Sequence, residues 1–259
     1  MTSLRIFVLG GFTSYRALFT WLSPWILIPT FVVEPVFQVI FFAFVGRQAG
    51  INDDRFFLIG NAVQFAAIPC LFAMSNTIGG ERYAQTLELL LASPARRGPL
   101  FLGRALPVIV NGFGSSVIAL VVGAAALQVA LPPGTWLPLA AVIAVSAFAC
   151  TGLVTAAVAL RVRETAVLAN IVFGVLLIFC GTNVALTALP GWMATVGHWL
   201  PLTHGIEAAR QVASGDPLSA VARLVGQEAA VGLLYVAIGT MLLRFFEAES
   251  RRRATLLTA

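Results

Sequence analysis

Residues 79–104 read GGERYAQTLELLLASPARRGPLFLGR, a polar and basic island between two long apolar stretches. Glu81, Gln85, Glu88 and Ala92 recur at helical spacing, and Tyr83, Leu87, Leu90, Leu91 and Pro94 line the other side, so a short amphipathic helix is expected. Pro94 closes it, because the residue before a proline, here Ser93, is pushed out of helical geometry. Arg96, Arg97 and Arg104 then gather positive charge at the foot of the next apolar run, the mark of a cytoplasmic face. An island of this kind offers a partner something to dock on.

The sequence around it belongs in a bilayer. Of 259 residues 59% are hydrophobic and 10% charged, too little polar surface to cover a water-soluble globule of this size. Runs long enough to cross about 30 Å of hydrocarbon fall at 25–45, 56–78, 105–130, 136–160, 166–189 and 224–246, which predicts six transmembrane helices in an all-α integral membrane fold. On this layout Arg5, Arg16, Arg82, Arg96, Arg97, Arg104, Arg161, Arg163, Arg244, Arg251, Arg252 and Arg253 lie inside. Arg47, Arg55, Arg210 and Arg223 lie outside. Twelve against four is the bias of the positive-inside rule, with both termini in the cytoplasm of a multi-pass protein of the cell's inner (plasma) membrane. Topology and anionic inner-leaflet lipid account for the net charge of +5, so nucleic acid is not an expected partner.

Residues 2–22 place Leu4, Phe7, Val8, Gly11, Tyr15 and Leu18 on one helical face, with Arg5 and Arg16 on another. They read as an amphipathic helix lying in the cytoplasmic interface, or as a plain extension of the first span. The apolar run that follows is far longer than a signal-peptide core, so no cleavable leader is expected. Residues 190–223, with Trp192, Trp199 and HWLPLTHGIEAARQ at 198–211, are too apolar for a free loop and too broken for a span. A re-entrant pair of short helices on the outer side fits both traits.

Several chemistries are excluded or weak. The chain contains no lysine, so it lacks the residue that a G-x-x-x-x-G-K-[ST] phosphate loop requires, and any ATP would be hydrolysed elsewhere. Cys70, Cys150 and Cys180 lie singly inside apolar runs, as packing residues do. Gly112-Phe113-Gly114-Ser115-Ser116 does not match the G-x-S-x-G of a serine hydrolase. His204, Glu207 and Arg210, with His198 nearby, read as a polar helical face stabilising the turn at Pro201 in preference to a metal site. Glu34-Pro35 sets a carboxylate inside the first span, where it lines a path or packs between helices at a kink. Gly112, Gly114, Gly123 and Ala124, Ala125 and Ala126 are small enough to let helices approach closely.

The island G-E-R-x-x-x-T-L-E-L-L-L-x-S-P-x-R-R, followed by Leu102-Gly103-Arg104, resembles the signature after the second span of ABC-2 type permeases. These are the membrane subunits of ABC exporters such as the daunorubicin-resistance and nodulation-factor types. Pro201 and the E-x-x-R of Glu207 and Arg210 also resemble the family's re-entrant segment, and the likeness covers essentially the whole chain as one domain, 1–259. Gln85 departs from the glycine more often found before Thr-Leu-Glu.

The resemblance implies a permease without a catalytic residue, metal or bound cofactor of its own, pairing with a second permease copy, alike or different. Separate nucleotide-binding subunits would carry ATP and magnesium. The coupling segment, 79–104, would meet them through Glu81, Arg82, Tyr83, Gln85, Thr86, Leu87, Glu88, Leu90, Leu91, Ser93 and Pro94. It further implies outward transport of a hydrophobic or amphipathic drug, lipid or glycolipid. The competing expectation is an ion-coupled secondary transporter or channel, for which Glu34 alone is poor support.

Overall fold

A computed structural model describes residues 25, 28–51, 53–71, 97–151 and 165–253. The expected interfacial helix at 2–22 and the coupling-segment residues from Glu81 to Pro94 lie outside the described residues. Among the described residues the chain is helical and contains no strand.

The first apolar run opens with a π-helical turn, Pro29–Val33, and continues as α1, Glu34–Gln48, with Pro35 at the start of the regular helix. Helix runs on through this junction, so Pro35 removes an intrahelical donor, and the wider π turn directly before it, in which the Glu34 N–H reaches back to the Pro29 carbonyl, is where that loss is absorbed. α2, Asp54–Gln64, begins where the Asp53 carboxylate accepts the Phe56 N–H at 3.0 Å. The chain turns at 65–66 and regains helix at 67–71.

α3 runs unbroken from Arg97 to Leu127, so the basic end of the 79–104 island is already part of the long helix that follows it. α4 is Trp136–Thr151 and α5 is Thr165–Phe179. An apolar run to 189 predicted a longer fifth span, but the helix stops at Phe179. Gly181 adopts φ +76, the left-handed conformation glycine takes most readily. A short 3-10 turn, Leu186–Ala188, leads to α6, Gly191–Trp199, and α7, Thr203–Ala213. The last helix, α8, spans Leu218–Arg253 and starts six residues before the expected 224.

Among the described residues two helices are long and apolar enough to cross a membrane, Val108–Leu127 and Leu218–Leu242, and Trp136–Thr151 and Val167–Phe179 are shorter apolar helices. α1, α2 and α3 pack on one another, α4 joins α3 to α8, and α7 touches α2, α4 and α8 together. The core runs through Leu58, Ile59 and Val63 of α2, Leu120 of α3, Ile143 of α4 and Ile206 of α7. Close approach depends on glycine at two points of α3. A Cβ at Gly112 would stand 2.6 Å from the Ala66 carbonyl oxygen, and one at Gly123 would stand 2.8 Å from a Leu58 methyl. Gly114 is different, with open space among the described residues where its Cβ would be.

Candidate functional site

The most elaborate polar construction among the described residues surrounds α7. Its first turn is held by a carboxylate from another helix. Glu228 of α8 is fully buried and accepts the Leu202 N–H at 2.7 Å and the Gly205 N–H at 3.0 Å. These amides would otherwise be unsatisfied. Leu202 needs this support because it is a buried, non-glycine residue at φ +81, a conformation that costs on the order of 1–2 kcal/mol. Gly205 lets the turn press against α4, since a Cβ there would collide with the Ser146 hydroxyl.

The other end of α7 meets a cation. Arg55, on the first turn of α2, donates to the Ala213 carbonyl at 3.5 Å and to Ala130 at 3.1 Å. A positive charge is favourable beside the last carbonyls of a helix. Between the two ends Arg210 leaves α7 towards α2. It donates to the carbonyls of Gly181 and Thr182, both at 2.8 Å, and of Phe56 at 3.3 Å, and its guanidinium lies 3.5 Å from the Phe56 ring centroid. Gly60 makes the room, because a Cβ there would overlap the Thr182 carbonyl and stand 2.7 Å from the guanidinium. Burial pulls Arg210 down to about 10, which leaves it charged at neutral pH.

The sequence grouped His204, Glu207 and Arg210 on one face, and the structure separates them. Each three-residue step falls short of a helical turn by about 60°, so six residues rotate the direction by about 120°. His204 and Glu207 line an open cleft between α7 and α8, whereas Arg210 serves α2 and the 181–182 bend. His204 is buried and donates from Nε2 to the His198 carbonyl at 3.1 Å, and the two rings stack 5.5 Å apart. Burial lowers its proton affinity, offset in part by that carbonyl. Pro201 is buried in the turn between α6 and α7, and its carbonyl accepts the Cys180 thiol at 3.2 Å. Among the described residues no group of three His, Cys, Asp or Glu side chains converges as a metal site.

Glu34 stands at the junction of the π turn and α1 and is exposed, as are Phe37, Phe41 and Phe44 along the same face. At the edge of that face, where α1 meets α2, Gln38 donates to Asn61 at 3.1 Å, and Asn61 donates to Asn183 at 2.9 Å, an amide chain linking α1, α2 and the bend after α5.

Sequence reasoning missed Glu228, Arg55 and Asn61. Glu228 carried one readable signal, a carboxylate inside the last apolar run.

A helical core with long apolar helices now stands beside the sequence match. The profile of the ABC-2 type transporters fits residues 7–213. The chain belongs to the ABC-2 type transporter family. Nodulation protein J of Rhizobium leguminosarum bv. trifolii is similar to it, 28% identical over 213 residues that cover 77% of each chain. As an ABC-2 protein, the chain is a membrane component of an ABC transporter, in a family whose permeases work with separate ATP-binding subunits. Glu228 lies beyond the matched residues, so the carboxylate that holds α7 comes from outside the segment that defines the family match.

Proposed function

We propose that this ABC-2 chain is the permease subunit of an ATP-driven exporter that moves a hydrophobic or amphipathic molecule outward. The family match across residues 7–213 carries the proposal, because it includes the 79–104 island in a chain without lysine. In this reading the chain crosses the inner membrane six times with both termini in the cytoplasm. Glu81 to Pro94 form the coupling helix on which the ATPase sits, with Arg82 and Glu88 as its main polar contacts. Two permease copies enclose the path, and Glu34 lines it.

The mechanical step is a population shift. ATP closes the nucleotide-binding dimer, the coupling helices follow, and the attached spans tilt towards an outward-open arrangement. α3 is suited to this because it continues without a break for 31 residues, about 46 Å at 1.5 Å per residue, from the edge of the island into the core. A substrate drug, lipid or glycolipid would enter a lateral path of this kind with its apolar part still in hydrocarbon.

The test is purification in mild detergent followed by identification of associated subunits and an ATPase assay. A stoichiometric ATPase is expected with the native chain. Glu88→Arg should insert and fold normally, yet lose the ATPase and ATP-dependent export. A chain that purifies alone, with export that collapses with an ion gradient instead of with ATP depletion, would overturn the proposal.

A further inference from the structure

α7 and α8 leave between them an open cleft of about 720 Å3. Its walls carry one charge of each sign, Glu207 from α7 and Arg223 from α8, and both residues are exposed. Among the described residues neither enters an ion pair, the salt bridge there being Arg47 with Asp54. Beyond Arg223 the lining along α8 is Leu224, Gln227, Ala230 and Val231, apolar but for the Gln227 amide. From Arg223 to Val231 is about 12 Å of helix at 1.5 Å per residue. Trp199 also lines the cleft and is exposed, and an exposed tryptophan in a membrane protein marks headgroup depth.

Two unpaired opposite charges in one cleft select against a ligand of a single sign, which one wall attracts and the other repels. They suit a head that carries both signs, and the apolar stretch suits a chain attached to it. We propose that this cleft binds a zwitterionic phospholipid of the outer leaflet, with its phosphate on Arg223 and its ammonium on Glu207. A primary ammonium is favoured because its N–H groups hydrogen-bond the carboxylate, which a quaternary one cannot do. Arg223 then holds any phosphate head, and Glu207 supplies the discrimination between heads. The assignment to the outer leaflet rests on the orientation proposed above, while the charge pairing does not.

The experiment is native mass spectrometry of the delipidated, purified chain offered equal amounts of phosphatidylethanolamine, phosphatidylcholine and phosphatidylglycerol. Retention of phosphatidylethanolamine should exceed that of the other two by about three- to fivefold, the worth of one exposed charge-assisted contact. Glu207→Gln should abolish that preference while phosphate lipids still bind, and Arg223→Gln should weaken all three. Both side chains are exposed, so both variants should melt with the parent protein.

Equal retention of the three lipids by the native chain, or an unchanged preference in both variants, overturns the proposal. So does stronger retention of a neutral glycolipid, which would give the cleft to a sugar. Lipid retention is read on the chain alone. Failure of an ATPase to co-purify would therefore break the transport proposal and leave this result standing, and failure of lipid selectivity would do the reverse.

Discussion

α7 and α1 are both short helices with prolines at their approaches, and they are held in opposite ways. α7 is buried on most of its surface, with a carboxylate at its first amides, an arginine at its last carbonyls and its own Arg210 reaching into α2. α1 buries only Pro35, Val39, Ala43 and Gly46, and turns Glu34 and a row of phenylalanines outward. The difference separates a fixed post from an open face. Arg210 on the post is consumed by backbone and Glu207 opens only onto the cleft beside α8, whereas the charge on the open face of α1 remains available to lipid, a second copy or cargo.

That contrast breaks most visibly at Glu228. Glu228→Ala strands the Leu202 and Gly205 amides and releases the strained turn, at a cost of about 2–4 kcal/mol. A clear drop in melting temperature of the purified protein checks it, and Glu228→Gln, which keeps one acceptor, should fall between. Arg210→Met removes the donors to three carbonyls on two segments and should cost about 1–3 kcal/mol, read by the same melt.

Acid should loosen the post more gently. His204 is held below its ordinary proton affinity, so the unfolded chain binds more protons than the folded one between the two values. Its stabilising contribution is complete above the unfolded value near 6.5 and is lost as pH falls through the lower folded value. Melted at pH 7.5 and 5.5, the native chain should fare worse on acidification than His204→Gln, the difference between the two being the part that His204 carries.

On the open face, Glu34→Gln should change stability by less than about 0.5 kcal/mol, as exposed substitutions do. Substrate selectivity in a transport assay should still shift. Unaltered transport would remove Glu34 from the path and leave α1 a lipid-facing helix.

The helical class was legible because long apolar runs leave few other ways to satisfy a backbone in lipid. Two short helices between Pro190 and Ser214 were legible too, from prolines that interrupt an apolar segment. The end of α5 at Phe179 was hidden, since hydropathy stays high to 189 while Gly181 and the Leu186 side chain packed beside it set the bend. The grip of Glu228 on Leu202 was hidden for a deeper reason. The pair is 26 residues apart, and no local period joins a helix N-terminus to a carboxylate on another helix. Asn61 likewise takes its meaning from Gln38 and Asn183, residues that only packing brings together.

The distance in sequence between Leu202 and Glu228 also orders events during synthesis. When α7 leaves the ribosome, its capping group has not yet been made, and the left-handed turn at Leu202 has nothing to hold it. α7 can settle against α2 and α4 only once the first turns of α8 have been delivered to the bilayer. A nascent chain stopped short of Glu228 should therefore expose its 191–213 segment to protease, and one stopped well beyond it should not.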